Sequence, residues 1–73
     1  MDEPGFIALD EHSSMGCIVY DVSNIGVRVT MLETKQVPDV FFLSSPSLGP
    51  GRVCRTAWRK ADEIGAFFAQ TPA

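Results

Sequence analysis

The residues best able to do chemistry stand together in Asp21-Val22-Ser23-Asn24-Ile25-Gly26, a D-x-S-x-x-G arrangement. It offers a carboxylate, a hydroxyl and a backbone without Cβ within one turn. A carboxylate accepts hydrogen bonds from an N–H edge such as that of guanine, the hydroxyl adds a polar contact, and glycine lets a ligand approach the main chain. The same residues also suit a self-contained turn, in which Asp21 and Ser23 bond their own backbone and Gly26 supplies a positive φ angle. Three fixed positions in six do not separate these roles.

Other reactive groups are less well placed. Asp10-Glu11-His12 contains metal-ligand types, but three consecutive residues seldom converge on one ion and no second cluster completes a shell. Ser23, His12 and Asp21 supply the residue types of a nucleophilic triad without the G-x-S-x-G elbow or an oxyanion site. Gly49-Pro50-Gly51 lacks the Lys-Ser/Thr and the following helix of a phosphate-binding loop. Neither catalysis nor a cofactor is expected.

The elements that must hold these residues are short. Apolar stretches are cut at intervals by turn formers, the spacing of an all-β sandwich or barrel. Strands are expected over 6–9, 15–22, 26–32, 40–44, 52–60 and 63–69. In the third, Val27, Val29 and Met31 alternate with Arg28 and Thr30, so one face is buried. In the fifth, Cys54, Thr56 and Trp58 share the core face, with Trp58 as its anchor, while Val53, Arg55, Ala57 and Arg59 share the other. Residues 45–51 form a Pro/Gly-rich loop and 70–73 a loose tail. The expected fold is a single domain, a small antiparallel six-stranded β-barrel, because closure removes the exposed edges of an open sheet.

The whole-chain properties restrict function further. The chain has 73 residues, 45% of them apolar and 21% charged, as in an ordinary folded domain. A net charge of −3 argues against a bare nucleic-acid partner. Asp2, Glu3, Asp10, Glu11 and Asp21 precede every Lys and Arg, the first of which is Arg28. Apolar runs such as 40–43 and 66–69 fall far short of the roughly 20 residues that span a bilayer, so no membrane partner is expected. An acidic Met-Asp-Glu-Pro start is unlike a secretory leader, which points to the cytoplasm and to reduced Cys17 and Cys54.

Three blocks, residues 17–29, Pro38-Asp39-Val40-Phe41-Phe42-Leu43 and Trp58-Arg59-Lys60-Ala61-Asp62-Glu63-Ile64-Gly65-Ala66-Phe67-Phe68, occur in an order and spacing that resemble the PilZ domain. That family is the small β-barrel with which many bacteria sense cyclic di-GMP, and the resemblance spans residues 17–68. It implies nucleotide contacts at Asp21, Ser23 and Gly26. The family's other motif, an R-x-x-x-R pair ahead of the barrel, has no counterpart, since no Arg or Lys precedes Arg28. A charge-assisted Arg contact contributes roughly 1.5–3 kcal/mol. Two missing contacts therefore cost about 3–6 kcal/mol, a hundred- to ten-thousandfold in affinity. The expectation is a signalling barrel whose cyclic di-GMP affinity is weak or lost.

A different expectation is an adaptor that binds another protein or itself. Strand parity places Phe42 and Phe67 opposite the core, and Arg55 and Arg59, joined by Arg28, would form a basic stripe outside the barrel.

Overall fold

The computed structural model describes residues 2–49 and 51–69. Six strands follow one another: β1 (Glu3–Ala8), β2 (Ser14–Val22), β3 (Gly26–Thr30), β4 (Val40–Ser44), β5 (Arg52–Arg59) and β6 (Glu63–Phe68). They close in the order β1-β2-β3-β6-β5-β4, every pairing antiparallel and β4 returning to β1. The all-β class and the six-stranded antiparallel barrel are as the turn spacing indicates. The first strand begins three residues earlier than expected and the third ends at Thr30. The expected tail, 70–73, and Pro50 lie outside the described residues.

Alternation builds the core. Ile7, Val19, Val29, Leu43, Cys54 and Ile64 project inward from the six strands and are fully buried. A six-stranded barrel is narrow enough for such side chains to fill it completely, and each large one contributes about 1.5–3 kcal/mol by leaving water.

The ends are closed by loops. At one, Thr34 Oγ1 donates to the carbonyls of Lys60 at 2.5 Å and Ala61 at 3.3 Å, while Met31 and Val37 are buried against the core. Near the start of β1, Ser47 of a 3₁₀ turn (Pro46–Leu48) donates its backbone N–H and its hydroxyl to the Glu3 carboxylate at 2.8 and 2.5 Å. Those bonds hold the Glu3 carboxyl below its ordinary value.

Two bulges break the alternation, one in β2 between Val19 and Asp21 and one in β5 between Thr56 and Trp58. The second overturns two expectations. Trp58 is not a core anchor, because the extra residue turns it outward, opposite Gly65, where it is 38% exposed. Arg59 is not on the outer face with Arg55. It registers with the inward Ile64, and its Nη1 donates to the Thr34 carbonyl at 2.5 Å and Nη2 to Asp39 at 3.2 Å.

Candidate functional site

Regular alternation along β2 would send Asp21 inward after Cys17 and Val19, where an unpaired carboxylate is costly. The bulge at Tyr20 prevents this. Val19 registers with Val29, yet Asp21 registers with Arg28, so the carboxylate emerges on the outer surface. There Arg28 donates from Nε at 2.8 Å and from Nη2 at 2.5 Å to Asp21 Oδ2. The adjacent carboxylate raises the Arg28 pKa above its ordinary value, chiefly through this hydrogen bond. Bulges commonly re-aim side chains in this way beside binding sites.

The β5 bulge acts on the same patch from the other side. Trp58 lies on Gly65, where a Cβ would stand 2.2 Å from the indole ring. Asp21, Ser23, Gly26, Arg28, Trp58 and Phe67 thus surround one groove of about 260 Å³. All three D-x-S-x-x-G residues meet in it, as their spacing implies. A flat aromatic wall, a carboxylate acceptor and a guanidinium donor are what an aromatic ligand with an N–H edge requires.

The three motif residues play different parts. Ser23 Oγ accepts from the Gly26 N–H at 3.2 Å and the Ile25 N–H at 3.3 Å, and donates to the Gly26 carbonyl at 3.4 Å. Its first role is therefore the turn. Gly26 does not have a positive φ. Glycine is needed there because a Cβ would stand 2.3 Å from the Ala66 carbonyl oxygen on β6. Asp21 alone presents its side chain to the groove without serving the turn.

Sequence reasoning missed Arg28 and Trp58 as groove residues, and expected a pocket without cations. Arg28 was legible: Val22 pairs with Val27 across the turn, which brings Asp21 opposite Arg28. Trp58 was not, because its parity is core parity until the bulge is known.

The remaining candidates separate cleanly. Phe42 and Phe67 are 41% and 53% exposed, on the outer face as parity indicates, and Arg55 lies there with them. The Asp10 carboxylate accepts the His12 N–H at 2.8 Å and so closes a turn. No metal-holding group of His, Cys, Asp and Glu occurs among the described residues. Burial pushes the thiols of Cys17 and Cys54 up to about 11, so both are protonated and poorly nucleophilic at neutral pH.

Compared with models of known families, with curated proteins and with solved structures, the chain matches none. No helix among the described residues is long and apolar enough to cross a membrane.

Proposed function

We propose that this chain is a non-catalytic signalling barrel of the PilZ kind, whose outer groove receives a guanine base of cyclic di-GMP weakly. One observation carries this reading: two separate bulges turn Asp21 and Trp58 out of core parity onto the same groove. Neither is needed to fill the barrel, and an outward indole on glycine suits stacking against a base. The Asp21 carboxylate then accepts from the base's N–H edge.

Weakness follows from size and charge. The groove, at about 260 Å³, lies below the roughly 300–1,000 Å³ usual for small-molecule pockets, so it suits one base better than a whole dinucleotide. Its guanidinium, Arg28, is engaged with Asp21 and does not replace a pair of phosphate-binding arginines. Lowering a micromolar site by that loss gives a dissociation constant of about 0.1–10 mM.

Titration with cyclic di-GMP, followed by amide chemical shifts, tests this. Saturable shifts at Asp21, Gly26, Gly65 and the Trp58 indole N–H in the upper micromolar to millimolar range are expected. Shifts scattered over the barrel, or none at saturating ligand, would remove the groove as a nucleotide site.

A further inference from the structure

The barrel carries a second hollow, larger than the nucleotide groove and unrelated to it. It lies outside β1, β2 and the end of β3, has a volume of about 590 Å³, and is lined by Phe6, Ile18, Thr30, Met31, Leu32 and Asp62 among others. Phe6 and Ile18 are exposed, and Leu32 is fully exposed at 102%. Asp62 is acidic, no lining residue is basic, and Glu33 stands exposed beside Leu32. An apolar hollow with an acidic rim is thus one side of the molecule.

The other side is its complement. In the closed order of strands, β5 is diametrically opposite β2. Outward on β4, β5 and β6, Phe42 registers with Val53, and Val40 registers with Arg55, which registers in turn with Phe67. Val40, Phe42, Val53 and Phe67 are all exposed. Arg55 stands exposed between Val40 and Phe67, with no ion-pair partner among the described residues. This face is apolar and carries the unpaired Arg55, while the exposed carboxylate next to Val40, Asp39, is paired with Arg59.

We infer that the barrel associates with a second copy of itself head to tail: the Val53 face of one copy enters the Leu32 hollow of the next, with Arg55 facing Asp62. Apolar patches of matching charge on opposite sides satisfy a heterologous contact and cannot satisfy an isologous one. An interface of standard size, about 800 Å² a partner, would take about one sixth of the 4803 Å² surface. Both faces can therefore be occupied at once. The association is weak and salt-sensitive, since its charges are exposed. The two residues that test it, Leu32 and Val53, lie outside the nucleotide groove, although Phe67 belongs both to that groove and to the Val53 face.

Sedimentation velocity over rising concentration tests it with two variants, Leu32→Lys in the hollow and Val53→Glu on the opposite face. Circular dichroism melting first confirms that each folds, as expected for exposed side chains. Unmodified protein should form dimers and longer species at submillimolar concentration, and each variant alone should associate at least tenfold more weakly. An equimolar mixture of the two should regain association, because one intact face of each variant remains. A monomer at all concentrations, an effect of only one substitution, or a mixture no better than its components would overturn the proposal.

Discussion

Gly26 and Gly65 are both closed to a side chain, but what closes them differs. At Gly26 the obstacle is the Ala66 carbonyl, part of the β6 backbone, whereas at Gly65 it is the Trp58 indole. Backbone cannot move aside without breaking the ladder. Gly26→Ala should therefore destabilise the barrel by about 1–3 kcal/mol in urea unfolding. An indole at the surface can swing away, so Gly65→Ala should leave stability nearly unchanged and shift the emission of Trp58, the chain's one tryptophan, to the red. Equal losses of stability in the two variants would contradict the assignment of Trp58 to the groove. The Asp21–Arg28 pair has side chains 45% and 53% exposed. Exposed pairs of this kind contribute at most about 1 kcal/mol, so the ion pair itself adds little to stability.

At the scale of elements, strands and turns were readable and bulges were not. Val27, Val29 and Met31 showed their period of two, and turn formers marked the breaks at 10–14, 23–24 and 45–51. A bulge adds one residue without changing composition, so nothing in Thr56-Ala57-Trp58 announces that Trp58 leaves the core. The same shift carries Arg59 inward, where it bonds the loop over 31–39. With only 27% of its side chain exposed, Arg59 acts as a clamp on that loop through the Thr34 carbonyl and Asp39. Losing hydrogen bonds of a charged group costs roughly 1.5–3 kcal/mol. Arg59→Ala should destabilise by about that amount and speed amide exchange at Val37, while Arg55→Ala should do neither. A stable Arg59→Ala protein with unchanged exchange would return Arg59 to the outer face.

For the whole molecule, the closed barrel followed from the count and spacing of strands, because six short strands without a closing pair would leave two raw edges. The groove followed only in part: Asp21, Ser23 and Gly26 were legible, Arg28 could be read from the hairpin register across their turn, and Trp58 required the bulge. The core leaves its own signature in pH dependence. Both thiols are raised from an ordinary 9.0 to about 11 by burial, which means that folding favours their neutral form. Their contribution is complete below pH 9 and is lost as pH rises through about 11. Unfolding free energy should therefore fall over that interval, and less steeply in a Cys17→Ala, Cys54→Ala double variant; identical slopes would contradict the burial of both thiols. The proposed function rests on the groove, and Trp58, which lines it, reports on it directly. Cyclic di-GMP added to the unmodified protein should quench Trp58 fluorescence saturably with a midpoint of about 0.1–10 mM, and Asp21→Ala should abolish the effect. Quenching that is unaffected by Asp21→Ala, or saturation at submicromolar ligand, would contradict a groove that holds a base through Asp21 and whose guanidinium, Arg28, is engaged by that carboxylate and not by phosphates.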